Sequence, residues 1–218
     1  SSDLGQAPIV EWNLPDGVTV APKEWPAPHR IEYGPLVNFG YSGETGLPFE
    51  VTVPPDWPAG RPLPLRAEAE ILVCEKICIP VSGKLALDVP TGTKSARNPD
   101  TAALFAQVRA QQPLPSLWPA SVRAGTERLT VTLRGPKADF SAVTDAYVFP
   151  RTWGVIDSAA PQRLSITDDG LSLTALRGEV PPAATFSGVV TLIPRDGPSR
   201  SFSLAGAPIV SEIGRAHV

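Results

Sequence analysis

Apolar and polar residues alternate with a period of two along much of the chain, the pattern of strands with one face buried. From Gly46 onward Leu47, Phe49, Val51 and Val53 share one face, with Glu50 and Thr52 on the other. Pro54-Pro55-Asp56-Trp57-Pro58-Ala59-Gly60 then reads as turn material. The extended pattern resumes from Leu65 to Cys74, and from Lys84 it continues through Leu85, Leu87 and Val89. The first thirty or so residues read as an extended leading segment. In it Trp12, Pro15, Trp25, Pro26 and Pro28 set aromatic rings on a stiff backbone suited to lying across a sheet.

The period changes over Asn98 to Gln112, which predicts the one good helix. Asn98 can cap it, Pro99 fits its first turn, and Asp100 suits the positive end of its dipole. Leu104, Phe105 and Val108 form an apolar stripe, and Pro113 stops the helix, which reads as a connector between two β domains. Strands then return. Leu129, Val131 and Leu133 alternate. Leu164 and Ile166 lead through Asp168-Asp169-Gly170 into Leu171, Leu173 and Ala175, a hairpin with Asp-Gly turn chemistry. A second hairpin runs from Val190 to Ile193, through Arg195-Asp196-Gly197-Pro198, to Phe202 and Leu204. Short strands at this spacing predict β-sandwiches. The expected division is a first β-sandwich over 1–93, a helical connector over 94–117 and a second β-sandwich over 118–211, with no strong internal repeat.

Composition narrows the picture. With 218 residues, 42% of them hydrophobic, the chain can bury one large core or two smaller ones. Its net charge of −3 supplies no basic field, so nucleic acid is not an expected partner. Twenty-six prolines and 18 glycines, spread along the chain, favour short strands and turns over long helices. No run of 18 apolar residues is present that would span a membrane. Ser1 opens no signal peptide, which fits a mature or truncated start. The last seven residues, Glu212 to Val218, are what a common sequencing-adapter string encodes. The expectation is that 212–218 is adapter-derived, that the native chain continued beyond about Ser211, and that His217 is no ligand.

The chemistry concentrates at Val73-Cys74-Glu75-Lys76-Ile77-Cys78-Ile79-Pro80, which holds the only two cysteines. Thiols this close can exchange two electrons by closing and opening a small ring. So small a ring adds little stability, because the loop-closure term grows with loop length; the redox reading therefore leads the structural one. A closed zinc site would need two more ligands, with His29 the only plausible third, so neither metal nor cofactor is expected. His29 itself, beside Arg30 in a proline-rich segment, reads as a surface residue. Lys76 favours a thiolate and Glu75 opposes it, so the two roughly cancel. Trp12, Trp25, Trp57, Trp118 and Trp153 read mainly as packing residues, with sugar binding the minor alternative. Asp168-Asp169 is explained by its turn.

Four segments occur in order: Trp12-Asn13-Leu14-Pro15-Asp16-Gly17, Trp25-Pro26-Ala27-Pro28, Phe39-Gly40-Tyr41-Ser42-Gly43 and the cysteine segment from Leu72 to Pro80. Together they resemble the N-terminal periplasmic domain of the DsbD/ScsB group of thiol:disulfide interchange proteins. The short cysteine spacing and extended N-terminal region resemble the ScsB-like branch most in style. The resemblance covers residues 11 to 90; the second domain is similar only in general character, through Phe149-Pro150 and a strand with Gly188.

The resemblance implies an all-β chain of two immunoglobulin-like β-sandwich domains joined by a short helix, the first carrying a redox disulfide. It implies a thiol:disulfide oxidoreductase module in the periplasm, part of an inner-membrane protein and tied to the membrane only through missing C-terminal domains. A thioredoxin-like domain would donate electrons, and a periplasmic thioredoxin-fold protein would accept them. By position, Cys78 forms the mixed disulfide and Cys74 resolves it. Phe39, with Gly40 and Tyr41, matches a cap loop that covers the disulfide and moves aside for partners. The DsbD branch separates its cysteines by five residues and this chain by three, which leaves loop geometry and partner choice open. The rival expectations are a binding or adhesion module with a structural disulfide, and a module serving a copper-handling or cytochrome-maturation client.

Overall fold

A computed structural model of the chain describes residues 7–33, 36–75, 77–94 and 97–211, which form fifteen strands and two helices, numbered below in chain order. Lys76, His217 and the adapter-like tail 212–218 lie outside the described residues. Two units are formed, one from the described residues within 1–25 and 44–110, the other from those within 26–43 and 111–218. The all-β expectation holds: both units are built from strands, and the helices are minor.

In the first unit β1 (Ile9–Asn13), β6 (Leu63–Cys74) and β7 (Cys78–Val89) form an antiparallel sheet in the order β1-β6-β7. A second pair, β2 (Thr19–Pro22) and β5 (Phe49–Thr52), forms a small antiparallel sheet. The period-two stretch from Leu47 to Val53 is trimmed to β5 because Pro48 and Pro54 flank it and offer no N–H to a ladder. Val18, Leu63 and Ala67 are buried, and an aromatic cluster supplements them: Trp12 and Trp25 meet Phe49 edge-on at 5.4 and 6.1 Å. Helix α1 (Pro99–Gln111) starts as expected, with the Asp100 N–H donating to Asn98 Oδ1 at 3.0 Å. Its stripe is used only in part. Val108 occupies the place that a side chain on Gly46 would need, whereas Leu104 and Phe105 stay half exposed.

The second unit holds most of the core. β9 (Ala120–Ala124), β10 (Arg128–Arg134), β11 (Val143–Pro150), β12 (Arg163–Thr167), β13 (Gly170–Leu176), β14 (Thr185–Pro194) and β15 (Arg200–Ser211) follow the order β11-β14-β15-β9-β10-β13-β12, with β8 (Leu114–Pro115) beside β15. β15 serves two sheets: residues up to Pro208 pair antiparallel with β14, and Ile209 to Ser211 pair parallel with β9. The change of partner follows Gly206, whose φ of 63° is one that side-chain-bearing residues avoid, and whose N–H donates to Ser187 Oγ at 3.2 Å. β10 shows why alternation specifies a sandwich strand, since Leu129, Val131 and Leu133 are all buried while the residues between them are not. Both expected hairpins form, β12–β13 across Asp168-Asp169 and β14–β15 across the segment with Gly197. The short helix α2 (Lys137–Phe140) drops Phe140 into the core, against Trp118 at 4.8 Å.

Residues 26–43 also pack in this unit. β3 (His29–Tyr33) and β4 (Leu36–Gly40) form an antiparallel pair. Ser158 Oγ donates to the Val37 carbonyl at 3.1 Å, Arg30 Nη2 donates to the Ala159 carbonyl at 3.0 Å, and the Phe39 ring meets Phe149 edge-on at 4.9 Å.

Because Phe140 is fully enclosed, Phe140→Ala should cost about 3–5 kcal/mol through lost burial and the cavity left behind. Chemical denaturation followed by far-UV circular dichroism measures this, and a cost below about 1 kcal/mol would contradict the packing described.

Candidate redox site

The site is the closed end of the β6–β7 hairpin. Twelve residue pairs run from Leu63 opposite Val89 to Cys74 opposite Cys78. The register follows from the alternating pattern. Leu63, Leu65, Ala67, Ala69, Ile71 and Val73 oppose Val89, Leu87, Leu85, Gly83, Val81 and Ile79, which makes one sheet face apolar throughout. The other face carries Glu68 opposite Lys84, Glu70 opposite Ser82, and the two cysteines.

Directly opposite residues of an antiparallel pair come close enough for a cross-strand disulfide. The Cys74 and Cys78 sulfurs are bonded at 2.08 Å, with Cα atoms 4.0 Å apart. The Glu75 N–H donates to the Ile77 carbonyl at 3.2 Å within the connecting turn. Cys74 is exposed and Cys78 half-buried, so the disulfide is open to attack. In the turn that the ring closes Ile77 is exposed to 70%, while Val73 and Ile79, also exposed, lie on the opposite sheet face from the sulfurs. Besides the sulfur bond, a ladder of twelve residue pairs joins the two strands. Opening the ring therefore need not unfold the hairpin.

The remaining sequence candidates belong to the second unit. Phe39 and Gly40 lie in β4, paired with Arg30 and His29, and Tyr41 follows. Phe39 is half-buried on Phe149; the Tyr41 hydroxyl donates to the Pro26 carbonyl at 3.0 Å, and burial pushes its pKa up. His29 is exposed at the rim of an open groove of about 320 Å³, lined also by Arg30, Glu32, Tyr147, Thr191 and Ser199. This groove carried no signal in the sequence, because its residues come from strands distant in the chain. Arg30 pairs with Glu32 at 3.3 Å. The Tyr147 phenol is pushed up from its ordinary pKa, first by its hydrogen bond to Asp145 and then by burial. Of the five tryptophans only Trp153 is largely exposed; Trp57 is half-buried, with Arg61 over its ring at 4.8 Å. Among the described residues no group of three or more His, Cys, Asp or Glu is placed to hold a metal ion.

A cross-strand disulfide of this kind, surface-borne and closing a five-residue ring, defines a class: a β domain that can take part in thiol–disulfide interchange. Comparison with known families agrees. Residues 5–90 match the family model described as thiol:disulfide interchange protein DsbD, N-terminal, and the match includes β1, β6, β7 and both cysteines. This segment is therefore similar to the DsbD N-terminal family, and the match together with the Cys74–Cys78 disulfide supports a thiol–disulfide interchange module; the match does not set the ScsB-like branch apart. No curated protein and no solved structure gives a significant match.

Joint replacement Cys74→Ser and Cys78→Ser should lower the unfolding free energy by no more than about 2 kcal/mol, the loop-closure term for so short a ring. Denaturant titration of the variant against the oxidised protein measures this. A loss of about 4 kcal/mol or more would mark the bond as a structural staple.

Proposed function

We propose that this chain is the periplasmic electron-carrying portion of an inner-membrane protein-disulfide reductase. It takes two electrons from a thioredoxin-like domain and passes them to a periplasmic thioredoxin-fold protein. The observation that carries this reading is the exposed Cys74–Cys78 disulfide at the end of the β6–β7 hairpin, inside the segment matched to the DsbD N-terminal family. In this reading the membrane is reached only through C-terminal domains outside the present sequence; no described helix is long and apolar enough to cross a membrane. The three-residue cysteine spacing supports the ScsB-like branch.

The exchange runs in two halves. A donor thiolate attacks Cys78 Sγ, the Cys74–Cys78 bond breaks, and Cys74 leaves as a thiolate that takes up a proton. The donor's second thiol then attacks the donor sulfur of the mixed disulfide, freeing Cys78 and leaving the donor oxidised. In the second half the Cys78 thiolate attacks the acceptor's disulfide. Cys74 then attacks Cys78 Sγ, which restores the ring and leaves the acceptor reduced by two electrons. Ile77, exposed in the turn that the ring closes, supports this reading, because it gives a partner apolar surface to cover while the sulfurs react. The assignment of Cys78 as the exchanging residue rests on resemblance, and the greater exposure of Cys74 favours the reverse order. The cap role of Phe39, Gly40 and Tyr41 likewise rests on resemblance. Phe39→Ala tests it, since an unchanged exchange rate would leave the ring with its packing on Phe149 alone.

The reduction potential of the pair should lie at roughly −180 to −270 mV, measured by equilibration against glutathione or dithiothreitol. A value below about −300 mV would favour the adhesion-module alternative. Cys78→Ser should abolish electron transfer to a thioredoxin-fold acceptor, and Cys74→Ser should trap the mixed disulfide. Retained transfer in Cys78→Ser would overturn the reading, and trapping by Cys78→Ser instead would exchange the roles of the two cysteines.

A further inference from the structure

Strand β7 is exposed along nearly all of its length, on both faces, and no described strand pairs with its outer edge. An open edge of twelve residues presents a row of unpaired N–H and C=O groups, which is a template for another strand. The apolar side chains that β7 leaves uncovered are large: Leu85 is 55% and Leu87 is 60% exposed. They oppose Ala67 and Leu65 of β6, which are buried and half-buried, so the covered part of the face stops at β6 and β7 overhangs it.

We propose that the outer edge of β7 pairs antiparallel with β7 of a second copy of this chain, with Ala86 on the two-fold axis. The sequence of the edge carries the choice of occupant and register. With Ala86 opposite Ala86 of the other copy, Lys84 faces Asp88 and Asp88 faces Lys84, giving two identical ion pairs on the polar face. On the apolar face Leu85 opposes Leu87 twice, so four leucines that are exposed singly cover one another. Such self-complementarity is what an isologous two-fold contact requires. Asp88 is paired with Arg66 at 2.7 Å, and its side chain stays exposed to solvent. Pairing over Gly83 to Val89 leaves Pro80, which has no N–H to offer, outside the new ladder. Both disulfides stay at the outer ends of the joined sheet, so the contact and the exchange reaction do not compete. A contact of seven-residue edges is small, so the dimer forms reversibly with concentration.

The test uses the full chain in the Cys74→Ser, Cys78→Ser background, so that a new cysteine is the only thiol. Ala86→Cys, mildly oxidised, should give an intermolecular disulfide between the two copies of residue 86, identified by peptide mass. Asp88→Cys should not, because its two copies stand four residues out of register, about 13 Å apart. In the otherwise unaltered chain, light scattering should show a concentration-dependent dimer, which Lys84→Asp weakens about tenfold by setting like charges opposite one another. A monomer at the highest soluble concentration, equal cross-linking at both positions, or an unchanged dimer in Lys84→Asp would each overturn the proposal. None of these readouts involves electron transfer, so the result stands apart from the redox assignment.

Discussion

The antiparallel ladder between β6 and β7 is the constraint on which the first unit depends. Side chains alternate with a period of two, so this single register decides three things together. It turns Leu63 and Ala67 inward, keeps Glu68, Glu70 and Lys84 on the opposite face, and sets Cys74 against Cys78. A slip by one residue would turn the core positions to water and part the sulfurs. The unit has few buried side chains beyond these, and the rings of Trp12, Trp25 and Phe49 supply much of its remaining packing. Backbone pairing thus holds the redox group in place more than core volume does. The sulfur bond is one link beside a ladder of twelve residue pairs.

The second unit is organised the other way. Its strands converge on a continuous apolar core that includes Leu129, Leu133, Phe140, Leu171, Val190 and Phe202. Polar cross-strand pairs decorate the strands outside that core, among them Thr130 with Thr174, Thr132 with Ser172, and Thr191 with Ser201, each at 2.9 to 3.0 Å. Residues 26–43 add a further antiparallel pair to this unit, seated through Phe39 and Arg30.

Local signals in the sequence were sufficient wherever the physics is local. The alternation of Leu129, Val131 and Leu133, the Asp168-Asp169 turn, the Asn98 cap and the lone close cysteine pair all mark features that the structure contains. Other features depend on partners far along the chain. Phe39 lies between the Trp-Pro segments and the cysteines in sequence, yet its ring finds Phe149, more than a hundred residues on. Leu104 and Phe105 look like a buried stripe because hydropathy records what a side chain could bury, not whether a surface is there to receive it. The groove beside His29 and Tyr147 left no trace for the same reason.

The bend at Gly206 in β15 has a consequence for how the second unit comes apart. A single strand pairs with β14 as far as Pro208 and with β9 from Ile209 onward, so the two ladders share one backbone on either side of that change. Strands that share one continuous backbone in this way open as one cooperative body, not as separable layers. Parting either sheet at β15 therefore loosens the backbone that the other sheet is paired with.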